Sequence, residues 1–190
     1  MIFRDINLLV YGFGLWNTQT ILLIDTTLLM DIIILSGGDW MVNNKKVLIA
    51  YASRTGNTEK LAQAIAEGIK KVGGVTVEVK KAKDVKPDNV VSADGYAFGS
   101  HSAFEYMAGE LKTLFEELYH VRDKLSGKPV LLFTTGKGGQ VAALESIDRV
   151  VGIFNPRWIK PGVAVEGAPG EADKAKAMEM GKKLAEGVKK

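Results

Sequence analysis

The sequence predicts an α/β fold: a doubly wound, five-stranded parallel sheet in the order 2-1-3-4-5, with helices on both faces. From Met41 onward, short apolar runs alternate with stretches of helical periodicity, as in βαβ units. Runs such as Val130 to Phe133 are continuously apolar, which is typical of strands covered by helices on both sides. A hydroxyl-rich loop follows the first run, at the edge where such sheets bind ligands.

Each element has its own signal in the chain. Strands are predicted over residues 46–51, 75–79, 95–99, 130–134 and 163–165. Helices are predicted over residues 58–72, 108–118, 141–151 and 172–189. In the first helix Leu61, Ile65 and Ile69 recur at every fourth position, and this stripe predicts a buried face. Gly73 and Gly74 follow that stripe and predict the end of the helix.

Composition limits the kinds of chemistry available. The chain has 190 residues, of which 46% are hydrophobic, so one domain with a full core is expected. There is no cysteine, and the only histidines are His101 and His120, which leaves too few groups for a zinc or triad enzyme. The absence of cysteine fits the reducing cytoplasm, where we expect the protein to reside. The net charge of +3 is mild and no basic run carries aromatics, so nucleic acid is not an expected partner.

Residues 1–40 differ in composition from the rest, with a single cation, four aspartates and long aliphatic runs. Asp25 and Asp31 interrupt the apolar run that would cross a bilayer, so no membrane association is expected. We expect this segment to be leader sequence read in frame, with Met41 as the true start. Codons for Gly37-Gly38-Asp39 can form a ribosome-binding sequence just before that methionine. The alternative is a peripheral amphipathic extension of the domain at 41–190.

The segment Ser53-Arg54-Thr55-Gly56-Asn57-Thr58 joins the first predicted strand to the first predicted helix. Its hydroxyls, its amide side chain and the free N–H groups of a helix start suit a phosphate, which the helix dipole also favours. Gly56 permits a tight turn. The spacing matches neither the nucleotide-triphosphatase nor the dinucleotide pattern, so a monophosphate is the better fit. The rival interpretation is that the loop only caps the helix, with Thr58 as N-cap.

Two further loops are expected beside it, because parallel strands all end at the same edge of a sheet. The loop after the third strand runs from Ser100 to Met107, and the loop after the fourth runs from Thr135 to Gln140. Glycines in the latter let backbone amides approach a flat polar ring, while Phe104 or Tyr106 can cover a ring face. One loop suits a phosphate and the other two suit a planar heterocycle. Together they predict that the ligand is a mononucleotide with a flat aromatic ring system.

These residues carry a family resemblance. The segment from Tyr51 to Thr58 resembles the phosphate loop of flavodoxins, and a general resemblance to that family extends from Met41 to the C-terminus. The second and third loops, with Gly138-Gly139-Gln140, are similar to those of flavodoxin-like NAD(P)H:quinone oxidoreductases. The resemblance implies that FMN is the cofactor and that no catalytic residue or metal ligand is needed. The implied FMN-binding residues are Ser53, Arg54, Thr55, Gly56, Asn57, Thr58, Ser100, Ser102, Ala103, Phe104, Thr135, Gly136, Lys137, Gly138, Gly139 and Gln140.

Alternatives stand beside several of these assignments. Phe104 is expected to touch the ring, and otherwise to anchor its loop in the core. Lys137 is expected to raise the reduction potential if its cation lies near the flavin, and is otherwise a solvated lysine. Arg54 either pairs with the phosphate or points into solvent.

The resemblance implies three possible functions, of which we favour the first. The protein is a one-domain electron carrier between redox partner proteins, a quinone reductase that uses NAD(P)H and forms a homo-oligomer, or an adaptor without flavin. Ala103 and Glu105 depart from the Arg and Gly usual in the reductases. The charge of residues 41–190, with 24 Lys and Arg against 18 Asp and Glu, departs from the acidic surface usual in flavodoxins.

Overall fold

The computed structural model describes residues 44–190, so the expectations for residues 1–40 lie outside the described part of the chain. Residues 44–190 form seven strands: β1 (Lys45–Ala52), β2 (Val75–Lys81), β3 (Gly95–Ala103), β4 (Tyr106–Met107), β5 (Pro129–Gly136), β6 (Arg157–Trp158) and β7 (Val163–Glu166). The same part of the chain forms five α-helices: α1 (Asn57–Lys70), α2 (Pro87–Val91), α3 (Gly109–Leu118), α4 (Gln140–Val151) and α5 (Glu171–Val188). Short 3₁₀ helices cover Ala82–Asp84, Tyr119–Lys124 and Gly152–Phe154.

The predicted sheet order is confirmed. Strands β2, β1, β3 and β5 lie side by side and run parallel. The fifth position is divided: β6 pairs with the beginning of β5, and β7 pairs with its end. Pro161 and Gly162 lie between these two short strands, and proline has no amide to donate to a neighbouring strand. The predicted fifth strand is therefore the second half of an interrupted edge.

Helices cover both faces, as predicted, and divide the core into two clusters. Alternate residues of β1 serve opposite faces, with Val47 and Ile49 in one cluster and Leu48 and Ala50 in the other. The first cluster contains the buried faces of α1 and α5. The second contains those of α3 and α4, together with Val90 of α2. All four of these β1 residues are completely buried.

Some local predictions differ from the structure. Helix α1 begins at Asn57 and ends at Lys70, two residues before the predicted end. Gly74, with φ of 75°, takes the left-handed conformation just before β2. The short elements α2, β4 and β6 were not predicted, because two to five residues give too little periodicity to recognise. Among the described helices, none combines the length and apolar character that a membrane crossing requires.

Candidate functional site

The first loop turns between β1 and α1 at Gly56, whose φ of 84° is left-handed. The Gly56 N–H donates to Ser53 Oγ at 3.1 Å, and the Gly56 carbonyl accepts from Lys60 N–H at 3.0 Å. The amides of Asn57, Thr58 and Glu59 occupy the first turn, where a helix offers no internal acceptor. This arrangement leaves donors at the positive end of the helix dipole, as an anion site requires.

The rival interpretation, in which Thr58 caps the helix, is wrong. The helix begins one residue earlier, and no side chain of the described residues caps it. Thr58 is instead completely buried, and its hydroxyl shares a hydrogen bond of 2.8 Å with the hydroxyl of Thr135. This contact joins the first loop to the end of β5, 77 positions later in the chain.

The three predicted loops meet around one cavity of about 600 Å³ at the carboxyl edge of the sheet. Most of the predicted site residues line it. The lining residues are Arg54, Thr55, Asn57, His101, Ser102, Ala103, Phe104, Glu105, Thr135, Gly136, Lys137, Gly138, Gly139 and Gly167. The structure therefore brings the phosphate loop and the two ring loops together, and the assignment of each residue to FMN stays a prediction.

Five of the predicted residues do not line the cavity but brace the loops that do. Besides the bonds of Ser53, Gly56 and Thr58, the buried Ser100 hydroxyl donates to the His101 carbonyl at 2.7 Å and accepts from Ala108 N–H at 2.8 Å. Gln140 Oε1 accepts from Gly138 N–H at 3.0 Å. The side chains of Ser53, Thr58, Ser100 and Gln140 are thus engaged in hydrogen bonds that support the loops around the cavity.

The second loop is a tight hairpin rather than an open loop. Ala103 pairs with Tyr106 across β3 and β4, and the two residues between them, Phe104 and Glu105, have φ of 54° and 61°. Two consecutive positive φ values are the signature of a type I′ turn. The Phe104 side chain is 103% exposed, so the alternative that it anchors the loop in the core is wrong.

The third loop approaches the hairpin closely because it lacks side chains. A Cβ on Gly139 would lie 2.6 Å from Ser102 Oγ and 3.0 Å from Glu105 Cγ. A Cβ on Gly136 would lie 2.8 Å from Ser102 Cβ. Gly138 has a φ of 96°, which favours glycine. The glycines therefore leave backbone, not side chains, along this side of the cavity.

Three cavity residues were missing from the predicted set: His101, Glu105 and Gly167. His101 Nδ1 lies 3.3 Å from the Ala52 carbonyl oxygen, at the end of β1. The Gly167 carbonyl accepts from Asn57 Nδ2 at 3.2 Å and brings a fourth loop, after β7, to the site. The rule that parallel strands end at one edge could have identified this loop, since Gly167 directly follows the last strand.

Both positively and negatively charged side chains line the cavity. Arg54, Lys137 and Glu105 are exposed at its lining. Below the first loop, Tyr51 Oη donates to Glu59 Oε1 at 2.9 Å. Burial, together with this bond to a carboxylate, raises the pKa of Tyr51 to about 12, so the phenol is neutral at physiological pH.

This donor set fits the chemistry of FMN. Hydroxyls and helix-start amides lie on one side of the cavity, where a phosphate dianion is favoured. A glycine-lined backbone and an exposed aromatic side chain lie on the other, where a flat ring with polar edges can be held. Both halves are built by segments of one chain.

Comparison with known proteins agrees with the geometry. The flavodoxin family model matches residues 49–181. The chain is 28% identical over 160 residues to a flavodoxin of Aquifex aeolicus (strain VF5), covering 75% of this chain and 86% of that protein. It is 30% identical over 131 residues to quinone-oxidoreductase QR2 of Triphysaria versicolor, covering 55% of this chain and 64% of that protein.

Among solved structures, a flavodoxin from the domain Archaea superposes with a TM-score of 0.71 at 26% identity, covering 76% of this chain and 99% of that one. The matched family model includes the first loop, the hairpin and the glycine loop. The chain therefore belongs to the flavodoxin family of FMN-binding electron-transfer proteins.

Proposed function

We propose that this protein is a one-domain carrier that accepts electrons from one redox partner protein and passes them to another. The observation that carries the proposal is the cavity at the sheet edge, whose volume of about 600 Å³ is typical of a site for one small-molecule ligand. Three other cavities within residues 44–190 share no lining residue with it. A nicotinamide substrate would need space adjoining the flavin.

Specific residues have distinct roles in this proposal. FMN, when bound, can accept and release electrons singly or in pairs. Thr55, Asn57 and the helix-start amides bind its phosphate, while the hairpin and the glycine loop orient its ring. Phe104, which is fully exposed at the cavity lining, offers the ring an aromatic face to pack against. The cytoplasmic location expected from the sequence stays a prediction.

A quinone reductase is the second candidate function. Two observations favour it: the Gly138-Gly139-Gln140 sequence of the third loop, and the similarity to quinone-oxidoreductase QR2. Such an enzyme would bind NAD(P)H and a quinone in a pocket completed by a second copy of the chain. The reductase function therefore requires a homo-oligomer, whereas the carrier function does not.

One experiment separates the two. FMN-loaded protein is mixed with NADH or NADPH and a benzoquinone, and its molar mass in solution is measured by light scattering. A carrier is expected to be monomeric, to leave the nicotinamide unoxidised, and to be reduced by a chemical reductant and reoxidised by a one-electron acceptor protein. Steady NAD(P)H oxidation by an oligomer would show that the protein is a quinone reductase and not a carrier.

A further inference from the structure

The hairpin formed by residues 102–107 supplies four cavity residues, and its own contacts are too few to stabilise its conformation. Phe104 and Glu105 are non-glycine residues at positive φ, a conformation that each adopts only when its surroundings enforce it. The return strand β4 has two residues and pairs with β3 at two positions. An isolated two-stranded hairpin of this size is marginal in water, so contacts from outside the hairpin must fix it.

A buried hydroxyl on α4 provides such a contact. Ser146 is 2% exposed, and its Oγ accepts a hydrogen bond of 2.9 Å from Met107 N–H, the last amide of β4. The same hydroxyl donates to the Ala143 carbonyl at 2.7 Å. Because its single proton is used there, the oxygen is left to serve Met107 as an acceptor.

The helix that carries Ser146 is also the helix that begins where the glycine loop ends. Gly139 directly precedes α4 and lies close to the hairpin, since a Cβ on it would meet Ser102 and Glu105. Ser146 holds the base of the same hairpin two turns further along α4. The hairpin therefore lies against α4 at two places, at Gly139 just before the helix and at Ser146 within it.

We propose that Ser146 is a positioning residue for the flavin ring, acting through Met107 although it does not line the cavity. This inference rests on the FMN site proposed above. Removing the hydroxyl leaves the Met107 amide buried without an acceptor, which favours conformations in which the hairpin moves away from the glycine loop. The phosphate loop, on the other side of the cavity, keeps its own contacts.

The test compares two ligands and two variants. Dissociation constants for FMN and for riboflavin, which lacks the phosphate, are measured by quenching of flavin fluorescence. Ser146→Ala is expected to weaken both by about tenfold and by the same factor, because only the ring half of the site is disturbed. Hydrogen exchange of the Met107 amide, followed by NMR in the flavin-free protein, is expected to accelerate in the same variant.

Tyr96→Phe is the matched control. It removes another buried hydroxyl bond to backbone, from Tyr96 Oη to the Val90 carbonyl at 2.8 Å, near the opposite edge of the sheet. It is expected to lower unfolding stability without changing either dissociation constant. The inference is overturned if Ser146→Ala leaves both constants unchanged, weakens FMN alone, or is matched in its effect by Tyr96→Phe. If the wild-type protein binds neither flavin, the proposed site itself fails together with the inference.

Discussion

At the scale of single residues, the absence of side chains determines how closely the ring loops approach. The third loop has glycine at three of its six positions, and two of these face the hairpin. Contact between Gly139 and the Ser102–Glu105 turn leaves no space for even a methyl group. The width of the cavity is therefore sensitive to the smallest possible substitution.

Gly139→Ala is expected to weaken FMN binding by about tenfold or more. The added Cβ would lie 2.6 Å from Ser102 Oγ and 3.2 Å from Glu105 Cα, so the hydroxyl must rotate and the turn backbone must give way, at a cost of about 1–3 kcal/mol. Fluorescence titration with FMN measures the effect. Gly109→Ala is the control, because a Cβ there meets nothing within 4 Å. Equal affinity of Gly139→Ala and wild type would contradict the packing argument.

Lys137→Gln is expected to lower the reduction potentials of the bound flavin. An exposed cation close to the ring stabilises added negative charge by about 1 kcal/mol, on the order of 40 mV for one electron. Potentiometric titration at low ionic strength measures the shift. Lys83, an exposed lysine in the 3₁₀ helix after β2, provides the control, because Lys83→Gln should leave the potentials unchanged. Unchanged potentials in Lys137→Gln would make it a solvated loop lysine.

At the scale of elements, two helices on one face meet backbone to backbone. A Cβ on Gly68 of α1 would lie 1.9 Å from the Met178 carbonyl oxygen of α5. A Cβ on Gly181 of α5 would lie 2.1 Å from the Ile65 carbonyl oxygen of α1. The reciprocal contact fixes α1, whose first turn forms the proposed phosphate site, against a neighbouring helix.

Gly68→Ala is expected to lower the free energy of unfolding by about 1–3 kcal/mol, because a rigid backbone atom must move to admit the methyl group. The substitution would otherwise favour a helix by about 1 kcal/mol. Urea denaturation measures the change. Gly152→Ala adds the same methyl group into open space and should be neutral or slightly stabilising. A Gly68→Ala protein as stable as wild type would show that the helices can separate freely.

Asp94 joins two strands at the end of the sheet opposite the site. Its carboxylate accepts from Lys46 N–H at 2.8 Å and pairs with Lys45 Nζ at 3.1 Å. Burial alone would raise the pKa of Asp94, but these two partners outweigh it and hold the pKa below its usual value. A depressed carboxyl pKa contributes stability above the unfolded-state value of about 3.9 that is lost as the pH falls through the native value.

Asp94→Asn is therefore expected to destabilise the protein at neutral pH, with a difference from wild type that shrinks on acidification below about pH 4. Unfolding free energies measured in urea between pH 2 and pH 7 provide the comparison. Asp123→Asn, at an exposed position, should follow the wild-type curve. A difference that stayed constant across this range would mean that the ion pair contributes nothing to the effect.

At the scale of the whole molecule, the site joins segments that are distant in sequence. The loops after β1, β3, β5 and β7 all reach one cavity. A ligand bound there contacts loops from all four of these strands, so its binding energy should stabilise the folded state of the whole domain.

FMN at 100 times its dissociation constant is expected to add about 2.7 kcal/mol to the stability of the folded protein. For a domain of this size the melting temperature should rise by roughly 5–10 °C. Thermal unfolding of flavin-free protein with and without FMN measures the shift, and inorganic phosphate at the same concentration is the control. If the melting temperature were the same with and without FMN, this result would contradict a binding site shared by the four loops.

Local patterns were sufficient for much of this molecule. Five of the seven described strands and the four long helices follow from short runs and stripes, and the first and third loops are continuous segments whose hydroxyls and glycines have local roles. The conformation of the second loop was not predictable in the same way. Phe104 and Glu105 are poor choices for a type I′ turn, and their conformation is imposed by contacts of β4 with the rest of the protein.

The sequence by itself determined the order of the sheet and the edge at which ligands bind, because parallel strands linked by helices leave few arrangements. Only the tertiary structure decided how the loops are held. The Ser146–Met107 bond spans 39 positions, the Thr58–Thr135 bond 77 and the Asn57–Gly167 bond 110. Such pairs leave no periodic signal in the chain, since each depends on the packing of elements that fold around it.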